Sequence, residues 1–419
     1  MSNMDHKLDK PGWSLVFHEE FEGPVLNPST FSPYGISHWK PKEEALADYE
    51  FKDSCIILRL SDENQHISAI TTGMRDGMHR YSDQLRIDHH DRAVMNLVTQ
   101  YGYFELRAKV AKGSGLNSAW WMIGFENEKE QNAEVDIFEL LGKDTHLLNT
   151  TLHALRDSKL EYAHIPYQTA VDLSEDFHTY GLEWDETGMK FYLDHELYWQ
   201  INQSPNYPMA TLLQINDGNG GWIGELDESL PYPKEFYIDY FRVYKREGMP
   251  MQCVASRSEA ASANLASQAV SGLGNDISWG DLYKAESHIC YINDGQPDTR
   301  LESMAREPLP HAYYLDWSTP QTLDSVALTV LQAAASGPTS WDIEVSEDGE
   351  SNWRKVHEVR AAVWEIEAGQ DGIGTVESVF EPQQHILSLR IIIHDYVGRN
   401  AGGSYFIQDL SVYNQAAAN

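Results

Sequence analysis

Cysteine is scarce in this chain: Cys55, Cys253 and Cys290 are its three, odd in number and widely separated. A disulfide framework is thereby excluded, one internal pair is the most that can form, and buried thiols are expected. Cationic residues are few as well. Against 64 Asp and Glu stand 31 Lys and Arg, a formal charge of −33, which repels nucleic acid and anionic lipid within a Debye length and favours neutral or cationic partners. Long apolar runs are missing too. Nothing approaches the roughly 18 consecutive apolar residues of a membrane span. The N-terminal MSNMDHKLDKPGW lacks an apolar signal core, so these residues encode neither secretion nor insertion. Compartment is left open, and the chain is expected to act as a monomer.

What is present is aromatic and strand-forming. Hydrophobic residues make up 42% of the chain, with 12 Trp and 22 Tyr among 419 residues, which is enough for more than one packed core and points to two domains. Long helical periodicity is rare. Alternation dominates instead, as in YGYFELRAKV (101–110), GMKFYLDHELYWQ (188–200) and EFYIDYFRVYKR (235–246), each bounded by turn residues. Many short strands between turns predict an all-β sandwich or barrel. After residue 244 the composition shifts to small and polar residues, SRSEAASANLASQAVSG, the signature of a linker. Alternation then resumes in HAYYLDW, SVALTVL, SWDIEVSEDG and LRIIIHDY. The expected layout is a disordered N-terminus over 1–11, a first all-β domain over 12–247, a linker over 248–261, and a smaller all-β domain over 262–415.

AEVDIFELLG (133–142) places Glu134, Asp136 and Glu139 in an otherwise apolar run. On a strand Glu134 and Asp136 share a face, whereas regular alternation turns Glu139 to the opposite one. One extra residue at Ile137–Phe138, a β-bulge, returns Glu139 to the acidic face. Three carboxylates on one face must raise at least one pKa and share protons, which is the requirement of glycoside hydrolysis by paired acids. Two other readings fit the same residues: a solvated acidic strand face, or a calcium site built from the three carboxylates.

The run Glu134-Val-Asp-Ile-Phe-Glu139 resembles the E-x-D-x-x-E signature of glycoside hydrolase family 16, the group of laminarinases, agarases, carrageenases and endo-β-galactosidases. WSLVFHEEFEG (13–23), YGYFELRAKV, GLNSAWWMIG (115–124), FHTYGLEWDETGMKFYLDHELYW (177–199) and FYIDYFRVYK resemble further segments of that family in the same order. The resemblance implies a concanavalin-like curved jelly roll with a cleft for a β-linked glycan, and a retaining, endo-acting hydrolase needing no catalytic cofactor. It implies Glu134 as nucleophile, Glu139 as general acid/base and Asp136 as the group that tunes Glu134. Trp120 and Trp121, neighbours on a strand, must face opposite ways; Trp121 matches the family's cleft tryptophan. His153 stands where the family has a histidine near the acid/base. Asn117, Trp222 and Arg75 are further candidates for sugar contact, Arg75 within the cleft-edge-like segment Thr72-Gly73-Met74-Arg75.

Several departures blur the substrate. Laminarinases usually carry Trp-Pro where Asn117-Ser118 stands here, and the long His- and Arg-rich excursion 77–100 is suited to roofing one end of a cleft. These features weaken a plain β-1,3-glucan assignment and raise a galactose-containing glycan; the charge favours a neutral polymer over a sulfated one. A transglycosylase and a non-catalytic lectin are the alternatives. Residues 262–415 resemble a discoidin-type (factor V/VIII type C) carbohydrate-binding module through NLASQAV (264–270), NDGQPDTR (293–300), IEVSEDGESNWRKV (343–356) and FIQDLSVY (406–413). That likeness implies a structural calcium, for which Asp294, Asp298 and Asp409 are the candidate ligands; turn capping is the plain alternative.

Overall fold

A computed structural model describes residues 10–36, 42–61, 66–79, 90–253, 263–274, 289–303, 308–364, 366, 372–398 and 403–415. The chain divides into two compact units. The first comprises 1–74, 94–125 and 130–254, and the second comprises 75–93, 126–129 and 255–419. The second unit is therefore not contiguous in sequence, unlike the single break near residue 250 that composition suggests. Among the described residues no helix is long and apolar enough to cross a membrane.

Two 8-stranded antiparallel sheets build the first unit. In one, Glu134–Leu141 lies between Leu147–His153 and Leu116–Gly124, and Leu116–Gly124 in turn pairs with Met209–Asp217. In the other, the 13-residue strand Lys234–Arg246 is flanked by Gly102–Lys109 and Cys55–Leu60, with Trp13–Glu19 also pairing to it. The strand Trp13–Glu19 alternates between half-buried and exposed positions along its length, as a one-sided strand should, whereas Leu116–Gly124 is buried throughout. Facing apolar rows fill the interior: Trp120, Phe138, Tyr180, Phe104 and Phe241 are all essentially inaccessible. Phe138 meets Tyr180 at 4.3 Å and Trp120 edge-on at 6.5 Å. This all-β, jelly-roll-like sandwich is the class that the strand pattern predicts.

The second unit is a sandwich of its own around a 7-stranded antiparallel sheet. Its two longest strands, His311–Leu331 and Gly374–Tyr396, pair with each other, and their register breaks repeatedly between Asp316 and Ser325. Those irregularities let one long strand serve two sets of neighbours: Val270–Leu273 pairs with its first part and Phe406–Tyr413 with its last. Trp317, Trp341, Tyr313 and Tyr405 fill the core between them. Cys55 and Cys290 are buried thiols outside any disulfide, as their scarcity implies.

Segment 75–93 is tied into this unit by a buried ionic cluster that sequence inspection does not reveal. The His90 ring lies 3.7 Å from Tyr314 in a stack. Its Nδ1 is 2.6 Å from Asp76 and its Nε2 is 3.5 Å from Asp316. Burial alone would lower the imidazole pKa, but the two carboxylates outweigh it and hold the ring charged well above its ordinary range. Both acids are further satisfied: Asp76 accepts from the amides of Asp91 and Leu273, and Asp316 from the Ala93 amide and the Ser388 hydroxyl.

Removing one partner of a buried ion pair leaves an uncompensated charge, so Asp316→Asn is expected to destabilise the second unit by about 3–5 kcal/mol. Chemical denaturation followed by tryptophan fluorescence measures this, and an unchanged transition would contradict it. Phe138→Ala is expected to cost the first unit a comparable amount, about 3–5 kcal/mol, through the cavity left between the sheets.

Candidate active site

The bulge required by the acidic run is present. Against Leu116–Gly124, Asp136 pairs with Trp121 and Phe138 with Trp120, so Ile137 has no opposite number. Against Leu147–His153 the register breaks at the same place, Asp136 opposing Thr151 and Glu139 opposing Asn149. Ile137 and Phe138 consequently both point into the core, each at most 1% exposed. Glu139 thereby returns to the face that carries Glu134 and Asp136. Thr150 supports the distortion by donating its hydroxyl to the Ile137 carbonyl at 3.0 Å.

Cross-strand partners complete that face. Glu134 stands opposite His153 and Ile123, Asp136 opposite Thr151 and Trp121, Glu139 opposite Asn149 and Ala119, and Leu141 opposite Asn117. The acids differ in environment. Asp136 is almost wholly inaccessible, whereas Glu134 keeps 18% of its side chain open and His153 keeps 34%. The His153 Nε2 lies 3.2 Å from Asp136 and 3.9 Å from Glu134. His153 therefore belongs to the Glu134 end of the row, not to the acid/base end where the family resemblance puts it.

Protonation follows from burial and crowding. Burial first, then the charges of Glu134 and Glu139, push the Asp136 carboxyl well above the usual carboxylate range, and a hydrogen bond to Glu134 reinforces the neutral form. Burial also raises Glu139, to about 7, with the Glu134 charge adding to it and a 3.5 Å hydrogen bond from Asn117 opposing it. One carboxyl in the row is thus held neutral and a second is poised near neutrality, a distribution suited to a proton donor beside an ionised neighbour.

The remaining sequence candidates divide. Trp121 lies on the acidic face and is 7% exposed, while Trp120 is in the core at 0%, so Trp120 is corrected to a packing residue. Arg75 is corrected as well. It is 3% exposed and gives its guanidinium to the Glu126 carbonyl and to Ser271, within the second unit. Thr72 is fully buried and bonds the Leu97 carbonyl and the Thr211 amide. Trp222 is 52% exposed on a loop whose carbonyl accepts from Lys143. The ends of excursion 77–100 are divided, residues up to 93 belonging to the second unit, and its residues 80–89 lie outside the described residues.

Sequence reading missed Asn149, Gln214 and Tyr162. Asn149 donates to the Glu139 carbonyl at 3.2 Å, and Gln214 follows Ala119 in the row of partners that starts at Glu139. Tyr162 is 64% exposed, with its ring 5.5 Å from His153. The alternation of ATLLQIND (210–217) carries a signal for Gln214; nothing local marks Tyr162.

The proposed calcium ligands do not converge as a set. Asp409 is raised by burial and by the charge of Asp294, whereas Asp298 is exposed. Asp294 instead caps its own turn, accepting from the Gln296 amide and the Thr299 hydroxyl.

Residues 85–241 match the model described as Glycosyl hydrolases family 16, a range containing all three acids, Trp121, His153 and Trp222. That match spans most of the strands that carry and flank the acids. Among curated proteins, a β-glucanase of Acetivibrio thermocellus is 32% identical over 145 residues, 34% of this chain and 42% of the relative. A glucan endo-1,3-β-glucosidase of Cryptopygus antarcticus is 26% identical over 233 residues, covering 54% and 78%. Among solved structures, the GlcNAcα1-4Gal releasing endo-β-galactosidase from Clostridium perfringens superposes with a TM-score of 0.54 at 29% identity, covering 58% of this chain and 65% of that one. The chain spans less than half the length of the β-glucanase that it matches.

Glu139 and Asp136 carry raised folded-state pKa values, so folding favours their protonated forms and stability falls as pH rises past the ordinary carboxylate range. For Glu139 the loss runs from about pH 4.5 to about 7. Glu139→Gln is therefore expected to raise the melting temperature at pH 8 and to leave it nearly unchanged at pH 4. Calorimetry at the two pH values is the check; equal shifts at both would refute the burial of a proton there.

Proposed function

We propose that the first unit is a retaining, endo-acting β-glycoside hydrolase, and that the bulged strand carrying three unlike carboxyls is the observation that carries this reading. Glu139, protonated up to about pH 7, donates its proton to the glycosidic oxygen as the bond breaks. Glu134 attacks the anomeric carbon and forms a glycosyl ester. Neutral Asp136 donates a hydrogen bond to the Glu134 carboxylate, holding it in place and releasing it as the ester forms. Water then enters, Glu139 takes its proton, and the sugar leaves with its original anomeric configuration. Asn117 orients Glu139, Trp121 and His153 line the acidic face for contact with the sugar rings, and Trp222 offers an exposed ring on its loop.

For the substrate we infer a neutral glycan containing β-linked galactose. The likeness to the endo-β-galactosidase over more than half the chain supports it, as does Asn117-Ser118 in place of Trp-Pro. A β-1,3-glucan is the second reading, favoured by the glucanase relatives. Reducing-end release from galactans, mucin-type glycans, agarose, laminarin and lichenan separates the two. For the second unit we propose a discoidin-like carbohydrate-binding module, with Asp294 and Asp409 as the pair available to a calcium ion. Appending such a module concentrates the enzyme on its polymer; thermal shift with calcium against chelator tests the ion.

Glu134→Gln is expected to lower kcat by at least about a thousandfold while glycan binding survives; turnover near the wild-type rate would remove Glu134 as nucleophile. The pH profile of kcat/KM should fall on the alkaline side near 7, where Glu139 loses its proton. That limb should disappear in Glu139→Gln assayed with an activated aryl glycoside. NMR of the first product formed is expected to show retained anomeric configuration.

A further inference from the structure

We propose that Glu134, Asp136 and His153 form a binding site for a divalent transition-metal ion of the zinc type, and that such an ion reversibly shuts the enzyme off. Among the described residues this is the one group of three His, Cys, Asp or Glu side chains placed to share an ion, its donor atoms all within 4.8 Å of one another. The spacing is specific. Donors about 2.1 Å from a common tetrahedral ion lie about 3.4 Å from each other. Here His153 Nε2 lies 3.2 Å from Asp136 Oδ2 and 3.9 Å from Glu134 Oε1, on either side of that value.

A second observation points to a ligand independently of the spacing. Asp136 Oδ2 is buried without a hydrogen-bond partner, although its residue is only 2% exposed. A buried acceptor left unmade is costly, and this one is directed at His153. A cation between the two would satisfy it by displacing the proton that Asp136 otherwise shares with Glu134, so ion and proton compete for the site and the ion binds more tightly as pH rises.

Donor chemistry selects the ion. One imidazole nitrogen with two carboxylate oxygens suits zinc and its neighbours in the transition series. Calcium and magnesium prefer six or more oxygens and gain little from an imidazole. The scaffold is also rigid: Glu134 and Asp136 are two apart on one strand, and His153 is the cross-strand partner of Glu134. Ligands fixed on adjacent strands lose little entropy on binding, whereas surface acids of this highly charged chain must be gathered first. Three protein donors would leave a fourth position for water or a sugar hydroxyl.

The inhibitory consequence rests on the reading of Glu134 as nucleophile, because a bound cation neutralises the carboxylate charge, lowers its nucleophilicity and occupies the space on its approach to carbon. The binding site itself does not depend on that reading. The test therefore measures the two separately. Chelator-stripped full-length protein is titrated with zinc by calorimetry, with bound zinc counted after equilibrium dialysis. The wild type should hold one more zinc than Glu134→Gln, Asp136→Asn or His153→Ala, and His153→Ala should weaken that site by more than about tenfold. Glu139→Gln, which removes an acid from the same row but not from the site, should keep the full count. His153→Gln, checked by its melting curve, guards against a misfolded alanine variant. Equal zinc counts in wild type and all three site variants would overturn the proposal, as would equal competition by millimolar magnesium. Zinc inhibition of hydrolysis, reversed by chelator, is the expected functional readout. If zinc binds at this site while hydrolysis proceeds unaffected, the shut-off fails and the nucleophile assignment fails with it, but the site stands.

Discussion

Putting three carboxyl groups side by side in a poorly hydrated place is tolerable only when their protons are unequally distributed. That constraint governs the first unit. Asp136, the least accessible of the three, keeps its proton well above the usual carboxylate range, and Glu139 holds one up to about pH 7. Glu134, more open to solvent than Asp136, is the member whose charge raises the other two. Burial thus sets chemically similar residues apart in protonation.

The backbone makes that sorting possible. Without the extra residue at Ile137, Glu139 would point into the packed interior among Phe138, Trp120 and Tyr180, where an acid has no partner. With it, two consecutive apolar side chains are driven into the core, and their burial holds the bulge in place. Packing and chemistry are two faces of one distortion: the aromatic cluster anchors what the acids require. Trp120 and Trp121 show the same economy, adjacent in sequence, one closing the core and the other lining the acidic face.

Much of this was readable before any coordinates. Period-two alternation revealed the all-β class, and the offset between Asp136 and Glu139 revealed the bulge, because a strand has only two faces and the count did not fit. Legibility ended where partners come from distant segments. Arg75 looks like a residue for sugar hydroxyls, but its guanidinium is claimed by Ser271, almost 200 positions away. His90 reads as one of several histidines in a polar excursion; only the approach of Asp76 and Asp316 makes it a fixed charge. His153 was correctly associated with the acids but at the wrong end of the row, since strand register, which decides its neighbour, is set by hairpin geometry that a local motif does not contain.

The discontinuous make-up of the second unit bears on how the protein is made. Segment 75–93 leaves the ribosome long before Asp316 is synthesised, so the His90 cluster stays open while most of the chain is translated. Through that interval Asp76 and His90 lack Asp316, their third member. Assembly of the two units is thus ordered in time, with the later one completed by a piece of chain that has been waiting since early in synthesis.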